Sequence, residues 1–135
     1  MIAPRYFLLY VSGPMTPTPA FPNMEENVAR LEAKARALFT MGYAVICPVF
    51  SWFDKHPPYL QALKADKYGK TYQDIIALDL ELVGRCDGIY MLSGWETSRG
   101  AAFEHDHALR CLVVPYYEDC AEPTQFFEPK EGDSP

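Results

Sequence analysis

The sequence predicts a single-domain α/β fold built on a parallel sheet. Short apolar segments rich in β-branched and aromatic residues alternate with longer segments whose apolar positions recur at helical spacing. Such alternation is typical of βαβ units, in which helices cover both faces of a parallel sheet. At 135 residues, the chain has the usual length of one domain. Together these observations predict a Rossmann-like sheet of four to five strands, in flavodoxin-like order, with helices on both faces.

Four strands and three helices are predicted along the chain. The strands are expected at residues 6–11, 43–48, 87–92 and 111–116, and the helices at residues 24–41, 72–83 and about 98–110. The first helix should begin after Asn23, because Asn23 and Glu26 have the spacing of a capping box, and it should end at Gly42. Residues 1–117 are expected to form the domain, and residues 118–135 an acidic, proline-containing tail that is partly mobile.

Composition excludes several classes of partner. The net charge is −6 and the basic residues are scattered singly, which argues against polymeric nucleic acid and anionic membranes. The early apolar run at residues 6–11 is too short to span a bilayer, so no membrane segment is expected. The four widely spaced cysteines are typical of reduced thiols in the cytoplasm, without disulfides, and Cys47, Cys86 and Cys111 are expected to be buried.

Candidate binding residues follow the predicted strands, because ligands bind at the carboxyl ends of parallel strands. Ser12 and Gly13 offer a hydroxyl and backbone amides after the first strand, and Ser98 opens a helix, where free N–H groups attract phosphate. Arg99 beside that helix start would suit the same anion. The alternative is that Ser98 is only a helix cap and Ser12-Gly13 only a tight turn. The irregular stretch 49–70 is predicted to cover the substrate.

Two carboxylates could carry the chemistry. Glu104 lies one turn after the small residue Gly100 on the same helix face, and Asp79 interrupts an apolar helical run. Either one could instead be a solvated surface residue, with Glu104 paired to His107. A metal site is disfavoured, because Glu104 and His107 form a single E-x-x-H pair without the repeated partner of a di-metal centre. No P-loop is present, and no cofactor is expected.

Several motifs resemble those of a known family. Residues 10–15 read Tyr-Val-Ser-Gly-Pro-Met, and residues 94–104 contain the pattern Ser/Thr-x-Gly-x-x-x-Glu ending at Glu104. Asp79-Leu80 and the run Cys-Asp-Gly-Ile-Tyr-Met-Leu at residues 86–92 lie between them. Over residues 6–116 the chain resembles the nucleoside 2-deoxyribosyltransferase-like family. That family includes the deoxynucleoside monophosphate N-glycosidases and the uncharacterised DUF4406-type proteins of phages and bacteria.

The resemblance implies that Glu104 is a nucleophile, which attacks the anomeric carbon of a nucleoside or nucleotide and expels its base. Asp79 would assist proton transfer or orient the sugar, and Tyr10 matches a family tyrosine near the nucleophile, although it could also be a packed strand aromatic. The residues expected to bind the phosphate or line the pocket are Ser12, Gly13, Met15, Phe21, Trp52, Ser98, Arg99 and Gly100. The resemblance also implies a homodimer or larger homo-oligomer.

Three functions remain open from the sequence. The first is hydrolysis of the N-glycosidic bond of a (deoxy)nucleoside 5′-monophosphate. The second is base exchange by a nucleoside 2-deoxyribosyltransferase, which shares the first chemical step. The third is a non-catalytic module that binds or senses a nucleotide.

Overall fold

The computed structural model describes residues 6–47 and 72–120. The strands in this part of the chain are β1 (Leu8–Ser12), β2 (Ala44–Ile46), β3 (Gly88–Met91) and β4 (Val114–Tyr117). The helices are α1 (Met24–Thr40), α2 (Tyr72–Gly84), α3 (Arg99–Arg110) and a single 3-10 turn at Trp95–Thr97. The predicted loop at residues 49–70, with Trp52, and most of the predicted tail lie outside the described residues.

The four strands form one parallel sheet in the order β2-β1-β3-β4. The predicted α/β class and its flavodoxin-like order are therefore confirmed. The chain leaves β1 toward β2 on one side and later returns to place β3 on the other side of β1. The order reverses between β1 and β3, which is the position where open α/β sheets leave a crevice for ligands.

The two faces of the sheet are buried by different helices. On one face, Leu31 and Leu38 of α1 pack against Val11 of β1. On the other face, Val83 of α2 and Ala101 of α3 pack in the cluster that also contains Tyr10. Neighbouring strand residues point to opposite faces, so Val11 faces α1, whereas Tyr10 and Ser12 face α3.

The helix starts predicted by the sequence are confirmed. The side chain of Asn23 accepts a hydrogen bond from the backbone N–H of Glu26 at 3.0 Å, and this caps α1. The hydroxyl of Ser98 accepts from the N–H of Ala101 at 3.4 Å, and this caps α3. Each cap satisfies a backbone donor that has no partner inside the helix.

The fourth strand begins later than predicted, at Val114 instead of residue 111. Cys111 caps the end of α3, and Leu112 adopts a left-handed conformation with φ 59°. Cys111 is also exposed, so the prediction that it is buried is wrong, whereas Cys47 and Cys86 are buried as expected. The fold continues into the predicted tail, because the N–H of Glu118 bonds the carbonyl of Met91 at 2.9 Å.

Candidate functional site

The centre of the candidate site is Glu104, in the second turn of α3 and only 5% exposed. The phenolic O–H of Tyr10 donates to its Oε2, and the hydroxyl of Ser12 donates to its Oε1 at 2.7 Å. Tyr10 and Ser12 are two positions apart on β1 and therefore point to the same face of the sheet. Each carboxylate oxygen of Glu104 thus has its own hydroxyl donor, and the alternative of a solvated Glu104 paired with His107 is wrong.

A second buried carboxylate lies near Glu104. Asp79 is 5% exposed and belongs to α2, which packs against α3. It lies one helical turn before Val83, a residue of the core beneath α2 and α3. The two carboxylates are close enough for their charges to interact, so the predicted acidic pair is brought together by the fold.

Burial sets the protonation of this site. Burial and, as a smaller effect, the negative charge of Asp79 raise the pKa of Glu104 from 4.5 to about 8, although hydrogen bonds from Tyr10 and Ser12 act in the opposite direction. Burial and the charge of Glu104 also hold the pKa of Tyr10 well above its usual value. Tyr10 therefore stays protonated and remains a hydrogen-bond donor at neutral pH.

Two glycines let the loops after β1 and β3 approach each other. The N–H of Leu92 bonds the carbonyl of Ser12 at 2.8 Å, which extends the pairing of the two strands to the edge of the sheet. A Cβ atom on Gly13 would lie 2.8 Å from the Cβ of Leu92. Gly94 has φ 88°, and a Cβ atom there would lie 2.0 Å from the ring of Phe21. Both positions therefore require glycine.

Asn27 holds the first loop in place. Its side-chain amide donates to the carbonyls of Met15 at 3.2 Å and Phe21 at 2.9 Å, and the residue is 2% exposed. Sequence reasoning missed Asn27. The available signal was an asparagine inside a helix, where its side chain competes with the backbone unless it bonds elsewhere. The ring of Phe21, a residue expected in the pocket wall, has its centre 4.5 Å from the guanidinium carbon of Arg30.

A family model described as a domain of unknown function, DUF4406, matches residues 7–116. The chain belongs to the DUF4406 family. The matched range contains Tyr10, Ser12, Asp79 and Glu104, so the whole carboxylate site lies inside the family domain. None of the curated proteins compared with this DUF4406 chain matches it.

The expected phosphate-binding residues of the DUF4406 domain are divided between different environments. Ser98, the N-cap of α3, is buried, and Gly100, in the first turn of the helix, is half-buried. Arg99 is exposed, with its guanidinium carbon 5.6 Å from the ring centre of Phe103. Ser12 is 0% exposed, and its hydroxyl bonds Glu104. Ser98 and Gly100 therefore keep the helix-start position that the prediction used, whereas Ser12 has a carboxylate partner.

A ring cluster of the DUF4406 domain supports the helix that carries Glu104. His105, the next residue on α3, stacks on Trp95 with ring centres 4.1 Å apart. Its Nε2 lies 2.7 Å from the hydroxyl of Tyr117, at the end of β4. The contacts join α3 to the turn before it and to the neighbouring strand. Sequence reasoning missed this cluster, because its members are distant along the chain.

The two histidines that flank Asp106 in the DUF4406 domain point in different directions around α3, and Nδ1 of His105 lies 3.4 Å from Oδ1 of Asp106. The imidazole of His107 lies 3.4 Å from the thiol of Cys111, away from the His105 cluster. Within residues 6–47 and 72–120, no three histidine, cysteine or acidic side chains gather as metal ligands. In the same ranges, no helix has the length and hydropathy needed to cross a membrane.

Proposed function

We propose that this DUF4406 domain is an N-glycosidase that cleaves the base–sugar bond of a (deoxy)nucleoside 5′-monophosphate through a covalent glycosyl-Glu104 intermediate. The observation that carries the proposal is a buried glutamate with a hydroxyl donor on each oxygen and a second buried carboxylate nearby. It lies under the carboxyl edge of β1, beside the point where the strand order reverses. The resemblance to nucleoside 2-deoxyribosyltransferase-like proteins supports the choice of bond.

The pKa of Glu104, about 8, keeps a proton on the acidic pair at neutral pH, and in the proposed reaction this proton lies on Asp79 when the pair meets the sugar. In the first step, ionised Glu104 attacks the anomeric carbon of the sugar. A carbon–oxygen bond forms, the N-glycosidic bond breaks, and its electron pair leaves with the base. Asp79 in its acid form gives a proton to the departing base, so the base leaves neutral. Tyr10 holds the orientation of Glu104 during the attack, because its phenol keeps its proton and continues to donate a hydrogen bond to the carboxylate.

In the second step, a water molecule attacks the same carbon. The new carbon–oxygen bond forms on the sugar, the ester bond to Glu104 breaks, and its electron pair returns to the carboxylate. Asp79, now ionised, accepts the proton of the water and is ready for the next cycle. The two steps retain the configuration of the sugar, as expected when one carboxylate acts as nucleophile and the other as acid and base.

Base exchange is the second candidate, favoured by the burial of Glu104. A nucleophile that is 5% exposed has little contact with bulk water, and this would lengthen the life of a glycosyl-enzyme. An acceptor base would then replace water in the second step. A non-catalytic binding module is a weaker proposal. Burying two carboxylates lowers the stability of the fold, and binding a nucleotide without turnover does not require such a pair.

The proposal is tested with the purified protein and a panel of nucleosides, deoxynucleosides and their 5′-monophosphates, with and without a free acceptor base. Base release is followed by chromatography. Release without acceptor is expected for the hydrolase, and exchange that requires acceptor would identify the transferase. Binding without either reaction would identify the sensing module.

Glu104→Ala should lower the rate of base release at least about a thousandfold, because it removes the nucleophile. Glu81→Ala is the matched control, since Glu81 is an exposed glutamate of α2 whose side chain is 72% accessible beside Arg85. The control should keep near wild-type activity. Acid quenching of the wild type followed by mass spectrometry should show a sugar adduct on the peptide that contains Glu104. Near-normal turnover by Glu104→Ala would overturn the assignment.

A further inference from the structure

Ser12 occupies an unusual place for a residue at a loop junction. It is the last residue of β1, is 0% exposed, and accepts the backbone N–H of Leu92 through its carbonyl at 2.8 Å. The backbone is thus held within the sheet, and the side-chain hydroxyl is available to bond a neighbouring side chain. That hydroxyl lies 2.7 Å from Oε1 of Glu104.

We propose that Ser12 is a positioning residue for Glu104, which holds one carboxylate oxygen while Tyr10 holds the other. Its kinetic consequences rest on the proposed glycosidase function, whereas its effect on Glu104 does not. The phosphate-binding role expected from the sequence is a different one. Loss of a phosphate ligand would raise the Michaelis constant for the monophosphate more than that for the nucleoside, whereas loss of a positioning residue should leave their ratio unchanged.

The geometry gives Ser12 a task that Tyr10 cannot perform alone. Rotation about the last side-chain bond of a glutamate has a broad energy minimum, so one hydrogen bond leaves the carboxylate plane free to turn. Two donors on different oxygens remove that freedom. Because both donors come from one strand, at positions 10 and 12, their separation is set by the strand repeat.

The chemistry of the pair follows from the same arrangement. Hydrogen bonds from hydroxyls favour the charged form of a carboxylate, and those from Tyr10 and Ser12 oppose the rise in the pKa of Glu104 caused by burial and by Asp79. Ser12 therefore supplies both orientation and part of the ionised, nucleophilic population of Glu104.

Ser12→Ala tests the kinetic half of the proposal. The turnover number should fall about tenfold to a hundredfold, the size of loss that follows a small misplacement of a reacting group. The Michaelis constants for a deoxynucleoside and its monophosphate should keep their ratio. The acid limb of the kcat/KM profile should move to higher pH. Ser12→Thr, which restores a hydroxyl, should recover part of the turnover.

Ser98→Ala is the matched comparison, because Ser98 is also a buried serine, but its hydroxyl caps α3 by accepting the N–H of Ala101. It should raise the Michaelis constant for the monophosphate more than for the nucleoside. A Ser12→Ala variant that behaves in the same way would make Ser12 a phosphate ligand and overturn the proposal.

The second readout needs no substrate. Carbon-13 NMR of the glutamate carboxyls, with the Glu104 signal assigned from Glu104→Gln, should show Glu104 titrating at higher pH in Ser12→Ala than in the wild type. If no substrate is cleaved but this titration moves, the glycosidase function fails and the positioning role stands. An unchanged Glu104 titration in a folded Ser12→Ala protein would overturn the positioning role, whatever the activity.

Discussion

Glu104 and Asp79 show at the residue scale how the fold changes the chemistry of ordinary side chains. Both carboxylates are buried, and the charge of Asp79 adds to burial in raising the pKa of Glu104. Such a pair exchanges protons as a unit, which suits a reaction that needs one carboxylate as nucleophile and one carboxylic acid as proton donor. Tyr10 remains a neutral donor beside them, because burial and Glu104 raise its pKa.

Replacing Asp79 by asparagine should lower the pKa of Glu104, because a like charge is removed while the volume of the side chain is kept. The acid limb of the kcat/KM profile should therefore move to lower pH, even though the turnover number falls with the loss of the proton donor. A pH–rate profile of the free enzyme, or carbon-13 titration of Glu104, measures this shift.

Asp106→Asn is the control for that substitution. Asp106 is a carboxylate of the same helix as Glu104, and its side chain is 67% accessible, so water screens its charge. Its replacement should leave the Glu104 titration in place. An upward shift in Asp79→Asn, or equal shifts in both variants, would show that Asp79 does not act on Glu104 through its charge.

At the scale of elements, α1 and α3 end in the same way with different residues. After α1, the N–H of Tyr43 bonds the carbonyl of Leu38 and Gly42 has φ 107°. After α3, the N–H of Val113 bonds the carbonyl of Ala108 and Leu112 has φ 59°. Both are Schellman ends, for which glycine is the usual left-handed residue. Leucine at this position is strained, and Leu112 is also 90% exposed.

Leu112→Gly should stabilise the domain by about 0.5 to 1 kcal/mol, because relief of the left-handed strain exceeds the added entropy of glycine in the unfolded chain. Chemical denaturation measures the change in the free energy of unfolding. Gly42→Ala should have the opposite sign, since it places a Cβ at the equivalent position of α1. A loss of stability in Leu112→Gly would mean that the exposed leucine contributes a contact of its own.

At the scale of the whole molecule, the sheet order assembles the site from distant parts of the chain. Ser12 and Tyr10 lie 92 and 94 residues before Glu104. β1 is at the centre of the sheet, between β2 and β3, and α3 packs on the face to which Tyr10 points. The predicted catalytic residues therefore meet only after the crossovers and the α2–α3 packing have formed.

The buried carboxylate should also make stability depend on pH. The pKa of Glu104 is about 8 in the folded protein, above its ordinary value of 4.5. The folded state therefore keeps a proton that the unfolded state releases as the pH rises from about 4.5 to 8. The proton held by Glu104 therefore stabilises the folded state fully below about pH 4.5, and this stabilisation is lost as the pH rises to about 8.

Glu104→Gln should remove the dependence, because the amide does not titrate. Relative to the wild type, the variant should gain stability between pH 5 and pH 9, by about 4 kcal/mol at most. Urea denaturation of both proteins at the two pH values measures the difference. Parallel stability curves for the wild type and Glu104→Gln would show that Glu104 titrates near its ordinary value in the folded protein.

The element pattern could be predicted from the sequence, because its signals are local. Apolar periodicity indicated the helices and strands, and Asn23 and Ser98 indicated two helix starts, since a cap acts within one turn. The start of β4 could not be predicted, because Leu112 occupies a position where glycine is the usual signal. Glu104 was found through its spacing from Ser98 and Gly100 and through the resemblance of that segment to a family motif.

The sequence by itself determined that this chain forms a parallel α/β domain with candidate acidic groups near the carboxyl edge of the sheet. Only the tertiary structure decided that Glu104 is buried, that Ser12 donates to it, and that Asn27 holds the first loop. The physical reason is the distance along the chain over which each kind of interaction acts. Helix and strand signals act over a few residues, whereas the burial, hydrogen bonding and pKa of a carboxylate depend on groups brought together from distant segments.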